Sequence, residues 1–150
     1  MDKSDYKLLA VLQQNARTPI QELADHIRAS TASVQRRLKV LRDDGVIQKE
    51  VAIVDPKKMG FGITAVVSVE LERDRLDLTN AFKRKARQDR QVMNFYCVAG
   101  DVDFVMIVVA KDIEDYETFT HRFFFADKTV RKFRTSIVIS TEKATLELPI

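Results

Sequence analysis

A chain of 150 residues, 45% hydrophobic and 31% charged, has the apolar content for one or two small cores and too much of it for a disordered segment. No apolar run approaches the roughly 20 residues of a membrane span, and the opening MDKSDYKLL lacks the basic head, apolar block and small-residue site of a signal peptide, so no membrane partner and a cytoplasmic location are expected. The net charge of +3 is spread over both halves and argues little for a polyanionic partner, while the lone Cys97, set in an apolar run and expected to be a buried free thiol, excludes disulfide scaffolding within one chain.

Residues 5–15 place Leu8, Val11 and Leu12 on one helical stripe behind Ser4 or Asp2 as a cap. Thr18, Pro19 and Gln21 read as a second start: a threonine cap, a proline at the first helical position and a glutamine that closes a capping box, for a helix to about Ile27. Arg28 and Ala29 leave room only for a turn. Ser30 caps a third helix with Val34, Leu38 and Leu41 on its inner face and Gly45 at its end. At about 100° per residue the opposite face collects Ala32, Arg36 and Lys39, flanked by Ser33 and Gln35. From Arg28 to Arg42 there are five cations and no acid, so this helix approaches phosphates without like-charge repulsion, and arginine and glutamine suit the edges of guanine and adenine. The expected unit is a helix-turn-helix for double-stranded DNA, and its contact candidates are Thr31, Ser33, Gln35, Arg36, Arg37 and Lys39. Arg37 lies beside the inner face, which leaves it a phosphate contact or an internal ion pair.

The alternation of VIQKEVAIVDP predicts a small strand pair or wing, and DPKKMG a hinge over residues 55–60. From Phe61 the period becomes two: Ile63, Ala65, Val67, Val69 and Leu71 alternate with Thr64, Val66, Ser68 and Glu70. A helix follows over 76–88, strands over 91–98 and 103–110, a helix capped by Asp112, and a strand over 130–140. Strand, helix, strand, strand, helix, strand is the ferredoxin-like βαββαβ sandwich, so the chain reads as α+β: a winged-helix-like domain over 1–54 and a sandwich domain over 61–150. Met106, Val108 and Val66 suggest an uncovered sheet face that a second copy of the chain packs against, and Leu146 and Leu148 suggest an added edge strand reaching across that interface.

These residues resemble the Lrp/AsnC, or feast/famine, family of transcriptional regulators over essentially the whole chain. The likeness rests on Asp5, Leu9, NAR at 15–17, ELA at 22–24, Ser30, Arg37, Leu38, Leu41 and GVI at 45–47, then on GDVDF at 100–104, Asp112, Tyr116, Phe119 and Thr135. It implies a sandwich that dimerises, assembles further into octamers or similar discs, and binds an amino acid between dimers near the Gly-Asp loop. Carried over by position, Gly100, Asp101, Asp103 and Thr135 become effector-site candidates. A carboxylate can pair with an amino acid's ammonium, and loop amides can hold its carboxylate; glycine and aspartate are equally what a tight strand connection needs. Val102 stands where the family usually has an aromatic residue, and Ala99 where threonine is commoner.

A second reading is an architectural, effector-independent protein that wraps DNA, drawing on KRKARQDR at 83–90. A remote third reading follows from relatives that resemble tetrapyrrole decarboxylases, but His26 and His121 belong to no catalytic arrangement or metal-ligand spacing, so no enzyme, metal or cofactor is expected.

Overall fold

The computed structural model of the chain describes residues 1–72 and 76–150. The chain forms two compact units, Met1–Ile53 together with Glu142–Ile150, and Val54–Thr141.

In the first unit α1 spans Lys3–Gln14, α2 Ile20–Ile27 and α3 Thr31–Asp43. Asp2 closes a capping box on α1: its carboxylate accepts the Ser4 and Asp5 amides, and Asp5 returns to the Asp2 amide at 2.8 Å. α2 starts differently from expectation. The hydroxyl of the buried Thr18 donates to the Asn15 carbonyl (2.8 Å) instead of capping, and Gln21 reaches forward to Asp25, so the fixed φ of Pro19 sets the start without a side-chain cap. Ser30 caps α3 as expected, accepting the Ser33 amide at 3.2 Å. Leu8, Leu9, Leu23, Ala24, Val34, Leu38 and Leu41 form the core, and each large side chain among them is worth about 1.5–3 kcal/mol of burial. Gly45, at φ +71°, turns the chain so that the Ile47 amide bonds the Leu41 carbonyl and Ile47 packs on that core.

The expected wing is absent. Residues 46–62 contain no strand, and Val51, Ile53 and Val54 are 64%, 82% and 63% exposed. Alternation makes a strand only where a neighbouring strand accepts its hydrogen bonds, and among the described residues no strand pairs with this segment. The C-terminal tail also differs: Glu142–Ile150 contains no strand and belongs to the first unit. Gln13 treats Leu148 as a strand neighbour would, accepting its amide (2.7 Å) and donating to its carbonyl (3.2 Å).

The second unit is the βαββαβ sandwich: β1 Ile63–Leu71, α4 Leu76–Gln88, β2 Val92–Cys97, β3 Phe104–Ala110, α5 Ile113–Thr120 and β4 Val130–Ile137. The sheet order is β2-β3-β1-β4, antiparallel throughout. Ala65, Val67, Val69 and Leu71 face the helices together with Phe104, Met106, Val108 and Ala110, against Phe82 and Ala86 of α4 and Tyr116 and Phe119 of α5. Met106 and Val108 thus belong to the core rather than the open face; register pairs Val66 with Ile107 there instead. A π turn, His121–Phe125, follows α5, and its extra residue brings both Phe123 and Phe124 inside. Cys97 is exposed, since the last residue of an edge strand has little to cover it. β4 stops at Ile137 and leaves Ile139 95% exposed. Among the described residues no helix is long and apolar enough to cross a membrane.

Candidate DNA interface and effector loop

Burial of Val34, Leu38 and Leu41 rotates α3 so that Thr31, Gln35, Arg36 and Lys39 are exposed and Ser33 is half-buried. Neither Gln35 nor Arg36 has a hydrogen-bond or ion-pair partner among the described residues. Lys39 pairs with Asp43 one turn on, and that carboxylate holds its ammonium protonated above the ordinary lysine range. Arg42 bonds Glu50 at 2.8 Å.

Arg37 is occupied elsewhere. One guanidinium nitrogen donates to Asp5 and Asp2, both at 2.8 Å, so the capping box of α1 is also the anion that anchors α3. The Asp5 bond and then the Asp2 bond raise the guanidinium pKa, while the Asp5 amide and then Arg37 lower that of the Asp2 carboxyl. Of the two roles open to Arg37 in the sequence, the structure fills the internal ion pair.

The basic run at 83–90 is likewise divided. The Lys85 ammonium donates to the Phe123 carbonyl (2.6 Å) and Asp127 and lies 4.4 Å from the Phe123 ring centre. The Lys83 ammonium sits 5.8 Å from the Phe104 ring centre. Arg84 and Arg87 remain exposed.

The Gly-Asp loop joins β2 to β3 at the end of the sheet where β1 finishes. Asp103 is a strap within it: its carboxylate accepts the Leu71 amide (2.8 Å), its amide bonds the Val69 carbonyl, and its carbonyl accepts the Val98 amide. Asp101 is exposed, with no partner among the described residues. Gly100 has no positive φ, and a β-carbon there would meet nothing within 4 Å. Thr135 is not beside this loop. It lies on β4, separated from β3 by β1, and its hydroxyl is 2.6 Å from that of Tyr116, whose pKa is raised by burial and eased by that bond. The sequence does not show the Gln13–tail clasp, whose partners lie 135 residues apart, and it places a turn at Arg28 and Ala29 without its left-handed conformation, because arginine is not the residue that usually marks one.

Comparison with known proteins matches these two regions. The Lrp/AsnC ligand binding domain covers residues 64–148, and a winged helix-turn-helix DNA-binding domain covers residues 1–48. An HTH-type transcriptional regulator of Sinorhizobium fredii, y4tD, is 46% identical over 150 residues, 100% of this chain and 89% of that protein. The crystal structure of an AsnC family transcriptional regulator from Agrobacterium tumefaciens superposes with a TM-score of 0.92 at 32% identity, covering 99% and 97% of the two chains. The transcriptional regulator NMB0573 of Neisseria meningitidis, solved as a complex with L-Met, superposes at 0.94 with 27% identity over 99% and 96%. With a reading helix in one unit and a ligand-binding sandwich in the other, the chain belongs to the Lrp/AsnC family of transcriptional regulators, DNA-binding proteins tuned by a small molecule.

Proposed function

We propose that the small molecule is an amino acid bound at the loop between β2 and β3, and that its binding changes how α3 is presented to DNA. The observation that carries this reading is the state of Gly100 and Asp101. The fold asks nothing of Gly100, neither space nor a special φ, and leaves the Asp101 carboxylate unpaired. A glycine without a fold role keeps backbone open to close approach, and an unpaired carboxylate suits an ammonium group. Asp103 and Thr135 act one step back, the first holding the loop to β1 and the second holding Tyr116. The L-Met bound by the Neisseria protein supports the ligand class.

On the DNA side, Gln35 and Arg36 read base edges, Thr31 and Ser33 contact the backbone at the start of α3, and Lys39 meets phosphate by exchanging Asp43 for it. The protein acts as a homodimer whose two α3 helices address related half-sites, and dimers assemble further, to an octamer or similar disc. The open sheet face supports the dimer: Val66 and Ile107 stand side by side there and Tyr96 is 53% exposed. A light-scattering mass of a single chain would remove this part of the reading.

Thermal melting with each of the twenty amino acids tests the effector. A ligand that binds only the folded form raises the melting temperature by mass action, by about 2.7 kcal/mol of stability at a hundredfold excess over Kd. The expected result is a shift with one group of amino acids that disappears in Asp101→Asn and in Gly100→Ala, both of which melt like the parent without ligand. A shift that survives both substitutions would place the effector elsewhere.

A further inference from the structure

Arg28 is the one residue other than glycine with positive φ among the described residues, at φ 53° and ψ 51°. The backbone needs that conformation. The Arg28 amide returns to the Ala24 and Asp25 carbonyls and the Ala29 amide to the Ala24 carbonyl (3.0 Å), closing the end of α2 and aiming the chain at Ser30, the cap of α3. Glycine adopts this geometry freely, whereas a β-carbon is crowded in it. Among the described residues the other two positive-φ positions carry glycine, Gly45 and Gly60. Arginine at the turn is therefore unfavourable for the fold, and its side chain returns little: it is exposed, with no hydrogen-bond or ion-pair partner among the described residues. Its attraction to the C-terminus of α2 is opposed by the N-terminus of α3.

We propose that Arg28 is a DNA-phosphate contact, held by the left-handed turn just ahead of α3 so that the duplex backbone is gripped where the reading helix begins. The closed turn fixes where the side chain leaves the backbone, and an exposed, unpaired guanidinium is free to take two oxygens of one phosphate. Such a contact sets register and carries no base preference. The inference rests on α3 being the DNA-facing helix, because Arg28 is placed by the same turn that places Thr31.

The test uses full-length protein and a random-sequence duplex, with binding measured by anisotropy across a salt series and melting measured on the same samples. Arg28→Gly is expected to melt at or above the parent while binding more weakly, with a log-affinity against log-salt slope shallower by about 0.9 per engaged subunit. Arg28→Lys keeps the charge and is expected to keep the slope. A glycine variant with parental affinity and slope, or a lysine variant whose slope falls as far as the glycine's, overturns the contact. Arg36→Ala separates this inference from its premise: a weaker Arg36→Ala beside an unchanged Arg28→Gly overturns the Arg28 contact and leaves α3 as the DNA-facing helix, whereas parental affinity in both variants removes the premise as well.

Discussion

α3 and α4 are both thirteen-residue helices rich in Lys and Arg, yet they spend their charge differently. On α3 the inward-leaning Arg37 is tied to Asp2 and Asp5 near the start of the chain, and this tie leaves Gln35 and Arg36 on a clean outer face. On α4 the central Lys85 is drawn under the π turn to Asp127 and Phe123, and Lys83 lies against Phe104. A basic run is thus a pool from which tertiary contacts withdraw members. What remains available depends on carboxylates and carbonyls far away in sequence.

Three experiments sharpen or break this contrast. The largest effect is expected from Arg36→Ala, which removes an exposed, unpaired guanidinium and should weaken specific DNA binding by about 1–3 kcal/mol with melting unchanged. Arg84→Ala, made on the other helix, should leave affinity as it was. Equal losses in the two variants would erase the distinction between the helices and favour DNA wrapping along both.

Next comes Lys85→Met, which deletes an ion pair, a bond to a carbonyl and a ring contact. It should destabilise the sandwich by about 2 kcal/mol in denaturant titration, after allowing for partial exposure, and leave DNA binding by the folded protein intact. Its pH dependence follows from Asp127. Burial alone would raise that carboxyl, but the bond from Lys85 and those from Thr129 outweigh it and hold the group below its ordinary value of 3.8. Asp89 behaves likewise, burial being outweighed by Arg122 and the Gln91 amide. A depressed folded-state pKa contributes stability in full above the unfolded value and loses it as pH falls through the folded one. The sandwich should therefore weaken below about pH 3.8, and Lys85→Met should lose less there than the parent does. Parallel acid curves for the two proteins would show that Lys85 does not hold Asp127.

The smallest effect belongs to the tail. Gln13→Ala leaves the Leu148 amide and carbonyl to water, and with Leu148 64% exposed the cost should be about 1 kcal/mol or less. Proteolytic release of the last nine residues at an unchanged rate would show that the clasp contributes nothing measurable.

Local pattern carried much of this architecture. The Ser30 cap, the Val34, Leu38 and Leu41 stripe and the period-two run of β1 are each encoded within a few residues, and all appear where the sequence places them. The failures share a cause. Residues 46–55 and 142–150 alternate like strands and are not strands, because the deciding quantity is an edge to pair with, which alternation cannot supply. Met106 and Val108 face the helices and not the open side, because an apolar strand gives no clue to which side the helices cover. In the candidate effector site, GDVDF marked the loop, but nothing local distinguished Asp103, which fastens β1, from Asp101, which stays free.

By itself the sequence determined the two-part plan, the order of elements, the capped basic helix and the family. Those features depend on periodicity, capping and turn chemistry, whose interactions span a few residues. The tertiary structure alone decided which charges are available: Arg37 and Lys85 are withdrawn, and Arg36 and Asp101 are left. That choice rests on ion pairs and closures whose partners meet only once the chain has folded, and no run of residues encodes them.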